Sequence, residues 1–376
     1  CMHTTSPGAL AFNPYLHGLR GLAATAVLLF HWGSGIGFFP QARNQLVIEL
    51  FGSQWDMGAL LDVGWLGVPL FFVLSGYLLT AQLINRQPGM STVSHFWKRR
   101  FMRIYPAYWA QLAVLLILAS YFAFMPQLRN TGDLIRHLFL WINLPPWMTR
   151  PLNGVWWTLP IELGFYLLLP LLVALARRSA WQFVLLGSAV ITIGWRYGVM
   201  QHFEGEDYSR HLAVLDAIPG TLFTFCVGFA LAYFLNNRPV PAPALRYGLL
   251  AIALAGFFAL VMWLRANLDT YWTGHWMLGI WNPLMAVVIG AIMFALLEPL
   301  KGLRWLGGRF MIWMGDISFG IYLWHFPLLL LLHRSILKQW DTPLLSILAL
   351  LITLAGTLLL ASLSYYCVEK PIMQKR

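Results

Sequence analysis

Residues 104–125 read IYPAYWAQLAVLLILASYFAFM, a stretch without a single charged side chain. An α-helix rises 1.5 Å per residue, so about twenty apolar residues cross the hydrocarbon core of a bilayer. Comparable apolar runs recur along the rest of the chain. The stretch therefore predicts a membrane-spanning helix, and its counterparts predict a protein that crosses the membrane many times.

The overall composition agrees with this prediction. Of the 376 residues, 59% are hydrophobic and only 10% are charged, against about 45–50% and about 25% in soluble domains. The mean hydropathy is +0.66. So few charges could not cover the surface of a soluble fold, which excludes that class. Backbone groups in lipid must be hydrogen-bonded within the protein, so the spans are expected to be helices.

We predict an all-α polytopic membrane protein in which residues 1–376 form a single integral membrane domain. Polar and proline-containing stretches separate the apolar runs. They delimit ten expected spans, at residues 18–38, 58–83, 104–125, 155–176, 180–200, 211–235, 245–265, 278–299, 311–333 and 343–366. The longest connection contains an apolar-rich piece, Asp133–Trp147, which is expected at the outer membrane interface.

The charge distribution sets the orientation. The chain has 25 Lys and Arg against 14 Asp and Glu, and the cations concentrate in alternate loops, such as residues 98–103 and 177–178. Basic loops face the cytoplasm, so both termini are expected inside. This explains the positive charge without a nucleic-acid partner. Three cysteines form no disulfide or metal pattern, and the first seventeen residues lack the features of a cleavable signal peptide.

Two ionisable residues share one face of the first span. Arg20 and His31 are three helical turns apart, about 16 Å along the axis, and ionisable groups inside spans default to functional hypotheses. Glu162 lies at a depth similar to that of His31, so the pair is predicted to act as a base and its orienting acid. The alternative is a snorkelling Arg20 and a His31 satisfied by a neighbouring helix.

Two further groups carry functional hypotheses. His325 either contacts a substrate or hydrogen-bonds a carbonyl freed by Pro327. Arg100 and Arg103 lie on one face if their segment is helical. Their guanidinium groups suit phosphate, either on a ligand or on anionic lipid headgroups.

Six motifs together resemble the acyltransferase-3 family of integral membrane acyltransferases, over about Asn13 to Pro371. The resemblance rests on the spacing from Arg20 to His31, the stretch Gly67–Thr80, the pair Arg100/Arg103, and the segments Trp157–Pro170, Tyr322–Pro327 and Glu369–Pro371. Helix two has Pro69 where many members carry an acid, and Thr158 and Pro160 vary the fourth-helix motif. The chain ends shortly after the tenth span, so no fused extracytoplasmic SGNH esterase-like domain is expected.

The resemblance implies acyl transfer, usually of acetyl, from cytoplasmic acyl-CoA to a hydroxyl of a surface glycan or lipid-linked oligosaccharide. An exopolysaccharide or its repeat unit is the preferred acceptor, and the bacterial inner membrane the expected location. Membrane lipids are the other expected partners, and no metal or permanently bound cofactor is expected. The donor-binding residues would be Arg20, Arg100, Arg103 and Ser75; the acceptor-binding residues would be His325, Tyr322 and Trp157.

His31 would remove the acceptor proton while Glu162 holds the imidazolium, and a covalent acyl-histidine is the competing route. Ser75, Trp157 and Tyr322 are candidates for stabilising the oxyanion. The chief rival is a transporter or flippase for a lipid-linked or small polar substrate, in which the buried His and Glu relay protons. Such a fold should show inverted repeats, and none is visible. A non-catalytic scaffold would not explain Arg20, His31 and Glu162.

Overall fold

The computed structural model describes residues 13–34, 37–40, 47–50, 52–56, 58–236, 238–336 and 342–374. Most of the first seventeen residues, where no signal peptide is expected, and both chain termini lie outside these ranges. The long helices are α1 (Pro14–Gly33), α2 (Gly67–Leu83), α3 (Met90–Tyr121), α5 (Thr158–Arg178), α6 (Trp181–His202), α7 (Ile218–Leu235), α8 (Pro243–Ala266), α9 (Trp281–Ala295), α11 (Ser318–Leu331) and α12 (Pro343–Leu363).

Shorter elements connect the long helices. A hairpin of β1 (Val47–Leu50) and β2 (Ser53–Asp56) pairs antiparallel. The helices α4 (Thr131–Leu138) and α10 (Arg309–Asp316) have eight residues each. Two π-helical segments, Leu332–Ile336 and Ser364–Glu369, follow α11 and α12, and α13 (Lys370–Gln374) ends the described chain. Single turns lie at Ala59–Asp62, Gly64–Leu66, Gly154–Trp157, Tyr208–His211, Leu212–Leu215, Leu268–Tyr271, Trp276–Gly279 and Arg304–Gly307.

Several helices are long and apolar enough to cross a membrane. In the described part of the chain seven pass by length and composition, and α10 with α11 passes as an eighth, bent by 66°. The multi-pass helical class is therefore confirmed. Helices α1 and α9 coincide with the two remaining predicted spans, and the count of ten stays a prediction.

Two predicted elements differ from the structure. Helix α3 begins at Met90 instead of residue 104, because the cations of residues 98–103 lower the hydropathy of its first half but not its helix propensity. The ninth predicted span is broken at Ile317. The segment predicted at the outer interface packs along α3, where Tyr108 and Trp109 donate hydrogen bonds to the His137 and Leu138 carbonyls at 2.7 and 3.0 Å, and its position at the interface stays a prediction.

The chain divides into two compact units, and each is described by itself. The first comprises Cys1–Leu16, Pro69–Trp97 and Ile161–Gly308. Glycines bring its helices α2 and α7 together: a Cβ at Gly76 would lie 2.0 Å from the Phe225 carbonyl oxygen, and one at Gly228 would lie 1.9 Å from that of Val73. These glycines therefore allow the close packing of the two helices.

The second unit comprises His17–Val68, Lys98–Pro160 and Arg309–Arg376. Here too, small residues set the packing. A Cβ at Gly21 of α1 would lie 2.6 Å from Met314 Cβ, and one at Gly320 of α11 would lie 2.7 Å from Ala361 Cα. The histidines and arginines singled out from the sequence lie on helices α1, α3 and α11 of this unit.

Candidate active site

A pair of histidines lies within the second unit. His31, near the end of α1, and His325, in the middle of α11, place their ring nitrogens Nδ1 and Nε2 3.2 Å apart. Their ring centroids are 5.2 Å apart. His325 is completely buried, whereas His31 keeps partial exposure. The pair therefore has one inner and one accessible member.

Backbone carbonyls set the proton positions on both rings. The Val27 carbonyl lies 3.0 Å from His31 Nδ1, and the Ile321 carbonyl lies 2.9 Å from His325 Nδ1. A carbonyl can only accept, so we assign a hydrogen to Nδ1 of each neutral ring. Nε2 of His325 then accepts from His31 Nδ1–H. This leaves Nε2 of His31 with a lone pair and no hydrogen-bond donor among the described residues.

An aromatic side chain covers one side of His31. The Phe326 ring meets the imidazole edge to face, with the centroids 5.3 Å apart. A Cβ on Gly154 would lie 2.7 Å from the Phe326 ring. Any larger residue at position 154 would therefore clash with the ring in its present position. One side of the His31 ring thus has an apolar neighbour.

The carbonyl freed by Pro327 is that of Leu323, four residues earlier. Gln111 Nε2 donates to it at 2.6 Å and Asn153 Nδ2 at 2.9 Å. His325 bonds the Ile321 carbonyl instead, so it does not satisfy the freed one. Its complete burial and two engaged nitrogens favour an orienting role over the predicted contact with the acceptor.

The other two predicted acceptor-binding residues have different settings. The Tyr322 hydroxyl donates to the Val155 carbonyl at 2.7 Å and lies 2.9 Å from Thr158 Oγ1. Trp157 is partly exposed and makes no hydrogen bond to any described residue, whereas the neighbouring Trp156 is fully buried and donates to Gln111 Oε1 at 2.8 Å. Tyr322 and Trp156 therefore support the site, and Trp157 alone keeps an accessible ring.

The predicted donor-binding arginines lie on α1 and α3 of the same unit. Arg100 and Arg103 are within helix α3, as their proposed shared face requires. Arg103 Nη1 forms an ion pair with Glu369 Oε2 at 3.1 Å, and Arg20 also interacts electrostatically with Glu369. Ser364 donates to Oε1 of the same carboxylate at 3.2 Å. A buried acid thus holds Arg103, one of the predicted phosphate-binding side chains.

Glu162 and Ser75 lie in the first unit. Ser75 Oγ donates to Glu162 Oε1 at 3.2 Å, and the Tyr166 hydroxyl donates to the same oxygen. His31 has His325 as its polar side-chain partner within the second unit. The predicted pairing of His31 with Glu162, which would join the two units, stays a prediction.

The sequence reading missed the residues that support the histidine pair. Gln111 is an uncharged polar residue within residues 104–125, and Asn153 lies three residues before Trp156. Glu369 was noted only as part of a family motif. A search for polar side chains at depth would have found Gln111. Among the described residues, no cluster of three or more His, Cys, Asp or Glu is placed to hold a metal ion.

Comparisons with known proteins support the family resemblance. The model of the acyltransferase domain family, Acyl_transf_3, matches residues 13–362, which confirms the resemblance drawn from the six motifs. The chain is 27% identical to the peptidoglycan O-acetyltransferase OatA of Listeria monocytogenes, over 99% of the chain and 57% of that protein. It is 26% identical to the O-acetyltransferase OatA of Staphylococcus aureus, over 97% and 58%.

A more distant relative is a putative O-acetyltransferase of Staphylococcus aureus, 23% identical over 97% of the chain and 58% of that protein. The chain thus spans a little over half the length of these curated relatives. No solved structure matches the chain significantly.

Proposed function

The chain belongs to the acyltransferase-3 family of integral membrane acyltransferases, and on that premise we propose that it is an O-acetyltransferase. It would move an acetyl group from cytoplasmic acetyl-CoA to a sugar hydroxyl of a cell-surface glycan. The multi-pass membrane architecture and the acetyltransferase relatives support this assignment. Other short acyl groups fit the same chemistry and are compared in the test below.

The observation that carries the proposal is the geometry of the His31–His325 pair, because its hydrogen bonds assign the proton to Nδ1 of His31 and leave a lone pair on Nε2. The acceptor hydroxyl would give its proton to Nε2 while its oxygen attacks the thioester carbonyl carbon. The C–S bond then breaks, and the coenzyme thiolate leaves and takes up the proton. His325, which accepts the hydrogen bond from Nδ1–H, would stabilise the imidazolium formed in this step.

The donor would lie between the arginines and the histidine. Arg20 and His31 are about 16 Å apart on α1, close to the length of a pantetheine arm. Arg103 and Arg100 lie on α3 in the same unit. Guanidinium groups pair well with phosphate, so the coenzyme phosphates would bind there and direct the thioester towards His31. Ser75 is proposed to contact the donor, and Trp157 the sugar acceptor.

The relatives suggest which acceptors to test. The Listeria relative is named a peptidoglycan O-acetyltransferase, so peptidoglycan joins the exopolysaccharide or its lipid-linked repeat unit as a candidate. Both present secondary and primary sugar hydroxyls, which a histidine base would activate in the same way.

The test uses the full chain purified in lipid nanodiscs, with radiolabelled acetyl-CoA or succinyl-CoA and each glycan acceptor in turn. We expect covalent label on one acceptor, and the rate of labelling should fall at least a hundredfold in His31→Gln. The matched control is His202→Gln, because His202 is an exposed histidine at the end of α6. Full activity in His31→Gln would exclude His31 as the base. Translocation of an unlabelled lipid-linked glycan without acetylation would favour the flippase.

A further inference from the structure

We propose that Gln111 and Asn153 are positioning residues that replace the backbone N–H missing at Pro327 and thereby hold His325 against His31. This inference rests on the proposed acyl transfer for its functional part. Its structural part concerns one turn of α11 and can be tested by itself. None of the six sequence motifs contains either residue.

The proline leaves a gap in the hydrogen bonding of α11. In an α-helix the carbonyl of Leu323 would accept from the N–H of residue 327, and proline has none. A buried carbonyl without a donor is costly. The side-chain amides of Gln111 and Asn153 approach it at 2.6 and 2.9 Å. Both side chains are almost completely inaccessible, at 0% and 1% exposure, so water does not compete for the site.

The remaining contacts of the amides fix their orientation. Oε1 of Gln111 accepts from the Trp156 indole N–H at 2.8 Å and from Asn153 Nδ2 at 3.4 Å. An indole N–H only donates, so the oxygen of Gln111 must face Trp156 and its nitrogen must face Leu323. Asn153 Oδ1 accepts from the Val155 N–H at 3.3 Å. The network is therefore satisfied in one orientation of each amide.

Helix α11 connects this hydrogen-bond network to the histidine pair. His325 lies between Leu323 and Pro327, in the turn that the proline deprives of its backbone bond. Gln111 comes from α3 and Asn153 from the segment before α5. These two side chains, which we call the clamp, therefore connect this turn to two other parts of the unit. Because His325 Nε2 lies 3.2 Å from His31 Nδ1, a small shift of the turn would break the contact that orients the proposed base.

Pro327→Ala offers a direct test, because alanine supplies the missing N–H to the Leu323 carbonyl. We compare Gln111→Met, Pro327→Ala and the double variant in nanodiscs, with Gln127→Met as an exposed control. In the protein that retains Pro327, Gln111→Met should lower kcat about tenfold, and KM for acetyl-CoA should change less than twofold. In the Pro327→Ala background, the same change should lower kcat less than threefold. Asn153→Ala should follow this pattern.

A second readout does not require acyl transfer. Diethyl pyrocarbonate modifies the unprotonated imidazole nitrogen, and mass spectrometry gives the modification rate at His31. We expect a rate about threefold lower in Gln111→Met, and recovery in the double variant. Equal losses in both backgrounds by kinetics and labelling, or no loss from Gln111→Met, would overturn the clamp. Recovery of labelling in a protein that acetylates no acceptor would instead refute the proposed function and leave the clamp supported.

Discussion

Replacing His325 tests the role of the histidine pair. His325→Leu removes the acceptor for His31 Nδ1–H and keeps a buried side chain of similar size. A hydrogen bond to a charged group contributes about 1.5–3 kcal/mol, and about 1.36 kcal/mol corresponds to tenfold in rate. If the bond strengthens as His31 becomes an imidazolium, kcat should fall about 10- to 150-fold. The Val27 carbonyl still orients the ring at 3.0 Å, so activity should not vanish.

The assay is single-turnover transfer of labelled acetyl to the glycan acceptor, with the enzyme in excess in nanodiscs. His325→Gln provides the matched control, because its amide oxygen can accept the same hydrogen bond and should restore part of the rate. Unchanged turnover in His325→Leu would refute the reasoning. A loss of more than about 150-fold would also refute it, because His325 would then take part in the chemistry directly.

Two further predictions concern stability, measured by thermal unfolding of the purified protein. Glu369→Gln should destabilise the fold, because Arg103 loses a carboxylate partner that is only 2% exposed. Breaking a fully buried ion pair costs about 3–5 kcal/mol of unfolding free energy. The loss here should be smaller, because Arg103 is 18% exposed. An unchanged melting temperature would contradict this. Gly228→Ala should lower the melting temperature, because its Cβ would lie 1.9 Å from the Val73 carbonyl oxygen, whereas Gly198→Ala meets nothing within 4 Å and serves as the control. Equal melting temperatures of these two variants would argue against the close packing of α2 and α7.

The helical membrane fold was predictable because lipid imposes strong requirements on composition and length. The positions of the spans follow from apolar runs, and most observed helices coincide with them. The start of α3 at Met90 was missed because a charged amphipathic helix and a polar loop have similar hydropathy. The break at Ile317 and the return of α4 along α3 depend on tertiary contacts, which no local pattern contains.

The site was predictable in part. Helix rise and period place Arg20 and His31 on one face of α1, since both depend only on sequence separation. The partner of His31 depends on which helix packs beside it, and periodicity does not specify that. His325 was identified as functional, but its contact with His31 was not foreseen. Gln111 and Asn153 acquire their role only once Pro327 and the neighbouring helices are placed together in space.

The π-helical segment at Ser364–Glu369 also bears on how relatives of this chain should be aligned. A π turn accommodates one residue more than an α turn, so every side chain after it is rotated by about 100° from the phase of α12. Deleting one residue within this segment would restore the regular phase and turn Glu369 away from Arg103. In a comparison of homologues, a one-residue gap here would therefore mark loss of the carboxylate contact even where the acid itself is retained.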